Sequence, residues 1–287
     1  MGTLIFKAHA SEGSVGLVIP TVPKFVGTAE YVLDLAHVTQ VNHLIVCVLH
    51  NHFDHAHHLQ LFKDQLLLPD GRAILVADSG GAIDHRASGA KKYQERVSPA
   101  AGLSCSFFDG EVSVDLRFVS QGKKRKGHAS HLGSGRSCSA TKPHCGAELV
   151  PSPDDTHCLF ADLRVGSQTF NVFVNDAASA YVADALPADL CAARRRCDLA
   201  SIAIPDAHLA WGYPANLLAK LDPRAVRWVH WEEFMFRPRN ARRRIDEPTR
   251  PLRTPGQLAL PLRVVEEAAG VGVPSCFVQH GGIEYFG

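Results

Sequence analysis

Leu44-Ile45-Val46-Cys47-Val48-Leu49-His50-Asn51-His52-Phe53-Asp54-His55 is the stretch that decides how this chain is read. Its first half is short, β-rich and apolar at every position, as a strand buried between two layers must be. Its second half sets four metal-ligating side chains, His50, His52, Asp54 and His55, directly after that strand. Packing does not account for so dense a group of imidazoles and carboxylate. Alternate residues of an extended chain share a side, so His50 and His52 can face one ion. Asp54 and His55, entering the next helix, can turn to a second ion about 3.5–4 Å away, the spacing of two-metal hydrolytic sites. Neutral imidazole and carboxylate suit Zn²⁺, Fe or Mn, and ligand type alone does not choose among them.

Outward from this stretch, strand-length apolar runs alternate with helical patterns. Ala73–Ala77 and Leu199–Ile204 repeat the buried-strand pattern, and Ala225–Val229 is a further strand containing Trp228. Val112–Val119 and Phe170–Val174 alternate as half-buried strands do. Phe53–Leu68, Pro214–Leu221 and Pro261–Ala269 read as helices; the last two open at a proline, and Gly270 closes the third. Buried strands interleaved with helices imply a layered α/β architecture. No repeat or long low-complexity linker divides the chain. Residues 1–287 are therefore expected to form a single domain, with an irregular basic segment at 237–255.

At 287 residues, 46% of them apolar, the chain can bury a core without disulfide or metal staples. Thirty Lys and Arg against 29 Asp and Glu leave a net charge of +1, which argues against a field that gathers nucleic acid or membrane lipid. No apolar run approaches the roughly 18 residues of a membrane span. Lys7, His9 and Glu12 interrupt the N-terminal apolar stretch, so no signal core is present, and Phe6 breaks the myristoylation pattern after Gly2. The expectation is a cytoplasmic protein acting on a small-molecule substrate, with no nucleic-acid partner and no membrane span.

The eight cysteines contain no C-x-x-C pair and read as free thiols, with Cys47 a small buried hydrophobe. Cys138/Cys145 and Cys191/Cys197 are alternatively spaced for a redox link or a structural metal. Two basic stretches, Gln121–Lys126 and Arg237–Arg253 with its seven arginines, read as solvated loops. Alternatively they rim a site for an anionic substrate, and Lys123-Lys124-Arg125-Lys126 matches a nuclear signal.

His-x-His-x-Asp-His after a hydrophobic strand resembles the signature of the metallo-β-lactamase superfamily. The resemblance implies an αββα four-layer sandwich, two sheets face to face with helices outside, binding one or two metals at one sheet edge. It also implies three further ligands downstream. Gly127-His128-Ala129-Ser130 matches the expected histidine turn, with His131 as rival. Asp176, after Phe170–Asn175, matches the aspartate that bridges two ions, its plainer alternative being a helix N-cap. His230 in Val229-His230-Trp231-Glu232-Glu233-Phe234 matches the last histidine. The His-Trp-x-x-Phe ending is similar to the branch that includes ascorbate-phosphate lactonases and N-acyl phosphatidylethanolamine phospholipase D. The implied assignment gives His50, His52 and His128 to the first metal, Asp54, His55 and His230 to the second, and Asp176 to both. The likeness spans roughly residues 40 to 235. Two positions depart from the pattern: Asn175 replaces the usual glycine before the bridging aspartate, and Val32-Leu33-Asp34-Leu35 lacks the glycine of an opening Asp-x-Gly turn.

The function this implies is a dinuclear metal-dependent hydrolase, most simply with two Zn²⁺, directing hydroxide at an ester, lactone or amide bond of a small molecule. Asp54 is the catalytic candidate that orients the water and shuttles its proton. A phosphodiesterase or phospholipase-like hydrolase is the alternative, kept open by the arginine-rich segment; a β-lactamase and a di-iron redox protein rank below it. No G-x-S-x-G or phosphate-cradling loop suggests another mechanism. His208, in Pro205-Asp206-Ala207-His208, is a candidate substrate contact or a surface-loop residue. Trp211 and Tyr213 form a pocket wall or pack on the following helix. His57 and His58 support the ligands or lie on an exposed helix face; Glu232 and Glu233 orient His230 or merely flank a strand end. His280 belongs to the site or to a tail.

Overall fold

The strand β3 (Val41–Cys47) sorts its side chains by parity. Leu44, Val46 and, beyond the strand, Val48 enter one apolar layer, while Ile45, Cys47 and Leu49 enter another. Successive strand side chains point to opposite faces, so both layers cover β3 from Leu44 onward, and its polar residues, Asn42 and His43, fall at its half-buried start. The computed structural model describes residues 3–20, 40–49, 59–78, 89–123, 155–175, 186, 196–204, 213–229, 265–266 and 268–277.

Two sheets supply those layers. The first has five strands in sequential order: β1 (Leu4–His9), β2 (Ser14–Ile19), β3, β4 (Leu67–Val76) and β5 (Glu95–Val97). β1 and β2 pair as an antiparallel hairpin, and β2 to β5 run parallel. The second sheet follows the order β12-β11-β10-β9-β8-β7-β6. Its strands are β6 (Leu103–Phe107), β7 (Val112–Lys123), β8 (Asp155–Val165), β9 (Gln168–Asn175), β10 (Leu199–Ala203), β11 (Val226–Val229) and β12 (Ser275–Phe277). It is antiparallel from β6 to β9 and parallel from β9 to β12.

Between the sheets, Leu17, Ile45 and Ile74 meet Val114, Leu159 and Val172. Outside the first sheet, α1 (Leu59–Leu66) buries Leu59, Phe62 and Leu66 over Leu44, Val46 and Leu75. That spacing of three and four is one apolar face of a helix. Outside the second sheet, α2 (Ala215–Leu221) buries Leu217, Leu218 and Leu221 over Ile202 and Trp228. Each such side chain withdrawn from water contributes about 1.5–3 kcal/mol before entropy is charged. Helix, sheet, sheet and helix stack in that order: the chain is an αββα sandwich, as expected.

Two boundaries differ from the sequence reading. The helix expected to reach Leu68 stops at Leu66, and Leu67 already pairs with Val41 in β4. Pro69 explains the change, because a residue before proline is driven out of helical geometry. The helix expected to close at Gly270 includes it, and the turn Val271–Gly272 follows, where Gly272 takes a left-handed φ of 73°. Val273 N–H reaches back to Ala268 O and Gly272 N–H to Ala269 O, which caps the last carbonyls. Residues of β1, β2, β5, β6 and β8 gave no strand reading beforehand. The described cysteines Cys47, Cys105, Cys158, Cys197 and Cys276 are free thiols, as expected, and Cys47 is fully buried. Cys138, Cys145 and Cys191 lie outside the described residues. Among the described residues no helix is long and apolar enough to cross a membrane.

Candidate metal centre

The pairing registers bring several strand ends to one edge of the sandwich. β9, β10 and β11 run parallel, with Asn175 beside Ile202 and Ala203 beside Val229. Ile204 N–H donates to Val229 O at 3.1 Å, carrying the ladder to the last described residue of β11. β8 starts at the same edge, since Cys158 pairs with Asn175, and β7 finishes there, with Ser120 opposite His157. In the other sheet, Val48 N–H donates to Val76 O at 2.9 Å and Ala77 N–H to Val97 O at 3.0 Å. His157 N–H donates to Leu49 O at 2.9 Å and fastens the two sheets together at this edge.

Leu49, Asn175, Ile204 and Val229 therefore stand at or just past strand ends along one edge. The residues that follow three of them in sequence are His50, Asp176 and His230. The candidates His50, His52, Asp54, His55, His128, Asp176, His208 and His230 all lie outside the described residues. So do His57, His58, His131, Trp211, Glu232, Glu233, His280 and Arg237–Arg253. Among the described residues no cluster of three or more His, Cys, Asp or Glu is arranged to hold a metal.

Beneath the edge lies a buried polar network that the sequence did not signal as functional. Asn175, fully buried, donates from Nδ2 to the Tyr213 hydroxyl at 3.2 Å. That hydroxyl donates to Ala203 O at 2.5 Å, and the Cys158 thiol lies 3.8 Å from Asn175 Oδ1. Burial pushes the Tyr213 hydroxyl well above the ordinary tyrosine range, with the Asn175 hydrogen bond opposing and Cys158 reinforcing. Of the two readings of Tyr213, packing holds: it is 3% exposed and belongs to the core under α2. The signal that could have exposed this network is hairpin arithmetic. A two-residue turn at Gly166-Ser167 sets Val165 opposite Gln168 and hence Cys158 opposite Asn175.

His157 and Asp78 were also missed. The His157 side chain is 8% exposed, and its Nδ1 is buried without a hydrogen bond, 3.6 Å from Oδ2 of Asp78. The edge suits divalent ions on two counts. The residues next in sequence are imidazole and carboxylate donors, and the described residues behind them include this unsatisfied imidazole nitrogen.

No model of a protein family matches the chain, and no curated protein matches it. Among solved structures it is similar to the CmlA beta-hydroxylase E377D mutant, with a TM-score of 0.46 and 13% identity over 97% of this chain and 52% of that one. It is also similar to unliganded yeast PDE1, with a TM-score of 0.41 and 12% identity over 83% of this chain and 67% of the other. The chain thus spans about half the length of the first and two thirds of the second.

Proposed function

We propose that this chain is a hydrolase of the metallo-β-lactamase type that works with two divalent metal ions, most simply Zn²⁺. His50, His52 and His128 would hold one ion, Asp54, His55 and His230 the other, and Asp176 both. The observation that carries the reading is the shared edge. Leu49, Asn175 and Val229, far apart in sequence, stand at or just past the ends of β3, β9 and β11 along that edge, and each is followed at once by a proposed ligand. When bound, two such ions supply Lewis acidity and bring the ionisation of water toward neutral pH.

The chain's own groups do the rest. The Asp54 carboxylate orients the attacking water and carries its proton toward the leaving group. His208, four residues after Ile204 in sequence, contacts substrate. Asn175 and Tyr213 hold the end of β9 rigidly, so that Asp176 starts from a fixed point. The substrate class is an ester, lactone or amide of a small molecule. The seven arginines of Arg237–Arg253 favour a phosphodiester as second reading, because guanidinium forks match phosphate oxygens.

The test is metal analysis of protein purified without chelator, followed by activity on an ester, a lactone and a phosphodiester. Bound transition metal with hydrolysis of one of the three supports the reading. Hydrolysis that survives His52→Ala combined with Asp54→Ala overturns it.

A further inference from the structure

His157 lies near the start of β8, at the edge where Leu49 leads in sequence into the His50–His55 motif, and it is not among the proposed ligands. Its backbone N–H holds Leu49 O at 2.9 Å. Its ring is packed edge-on against Phe118, with centroids 6.4 Å apart, and turns Nδ1 toward Asp78 Oδ2 at 3.6 Å. Asp78 follows the end of β4 and is itself held from β5, since Arg96 donates to its backbone carbonyl at 2.7 Å.

An imidazole nitrogen buried without a hydrogen bond costs stability, and an apolar side chain would fill the same place without that cost. A closure of about half an ångström turns the contact into a charge-assisted hydrogen bond from Nδ1–H to the carboxylate. The two side chains then join β8 to the end of β4, and the His157 backbone joins β8 to Leu49, the residue before the His50 motif in sequence. Groups outside a metal's ligand set tune the site by fixing how its ligands are held.

Resting on the metal-centre reading above, we propose that His157 and Asp78 form a positioning pair, which fixes the point at which the chain enters His50–His55 and so tunes metal affinity without ligating metal. The experiment measures Zn²⁺ stoichiometry and affinity by competition with a chromophoric chelator, and the visible spectrum of the Co²⁺-loaded protein. The proteins compared are wild type, His157→Ala, Asp78→Asn, Asp78→Ala, Asp78→Glu and the His157→Ala/Asp78→Asn double variant, each checked for a cooperative melt. Loss of either partner should weaken Zn²⁺ binding about 10- to 100-fold. Stoichiometry should stay at the wild-type value and the Co²⁺ bands should shift. Asp78→Glu should recover most of the affinity lost in Asp78→Ala, and the double variant should be no weaker than the worse single one. Affinities within twofold of wild type with unchanged Co²⁺ bands overturn the proposal. Loss of a metal equivalent in His157→Ala also overturns it, because His157 would then be a ligand. If His157→Ala fails to melt cooperatively, the near-isosteric Asp78→Asn decides by the same criteria. Wild-type protein that binds no metal overturns the metal-centre reading itself and this proposal with it, a result distinct from variants that bind as wild type does.

Discussion

Asn175 and Tyr213 meet 3.2 Å apart in the core under α2, and the tyrosine hydroxyl passes the hydrogen bond on to Ala203 O. The chain joins the end of β9 to the end of β10 through a side chain 38 residues away from Asn175. Tyr213→Phe keeps the ring and removes the link, leaving a buried amide and a carbonyl each short of a partner. The expected cost is about 1–3 kcal/mol, read as a lower denaturation midpoint with an unchanged denaturant slope. A midpoint equal to wild type would show that the network adds nothing to stability.

Alkaline pH should act through the same hydroxyl and through Tyr93, which donates to Leu59 O at 2.7 Å. Burial raises both phenols above the usual tyrosine value, with nearby Asp64 adding to the effect at Tyr93. A folded-state pKa above the unfolded one means that the native protein keeps protons which the unfolded chain releases. This contribution to stability is whole below about pH 10, the ordinary tyrosine value, and declines as pH rises from there through the raised values. Stability should therefore fall above that pH, less steeply in the Tyr93→Phe/Tyr213→Phe double variant. Phenolate absorbance from these two rings should appear only with unfolding.

Gly89 sits against the first turn of α1 with φ of 71°. A Cβ there would lie 2.4 Å from Gln60 Cβ and 2.8 Å from Gln60 N and Cα. Gly89→Ala combines left-handed strain with a clash against helix backbone, which cannot rotate aside. The expected loss is at least about 2 kcal/mol, or roughly 3 °C of melting temperature at this chain length. Gly110→Ala, also at positive φ but with open space around its Cβ, should cost less.

Much of the architecture was legible because parity is a local property. Leu44 to Leu49 is apolar at every position only if both faces are covered, and that already implies a layer on each side of the first sheet. Trp228 and Ile202 announced the second sheet in the same way. What stayed hidden depended on partners distant in sequence. β8 carries Asp162 and Arg164 within its hairpin, so its polar positions masked a strand whose other residues, Leu159 and Ala161, are buried. His157 looked idle for a related reason: its neighbours Leu49 and Asp78 are about a hundred and about eighty residues away along the chain. The His50–His55 group was read from its residue types and spacing, and His128, Asp176 and His230 from the resemblance; neither carries information about what surrounds them.

Metal removal supplies the last prediction, and it does not depend on knowing the substrate. Ligands drawn from β3, β9 and β11 would clamp strands of both sheets, so metal should bind the folded chain far better than the unfolded one. Folded-state binding at a free concentration about 100 times Kd stabilises by about 2.7 kcal/mol. At this size that is roughly 4–5 °C in melting temperature. Protein stripped with chelator should melt lower by that amount and recover when Zn²⁺ is restored. His50→Ala should show little of the shift, since its first ion would lack a ligand. Recovery as large in His50→Ala as in wild type would place the stabilising ion elsewhere and remove His50 from the centre.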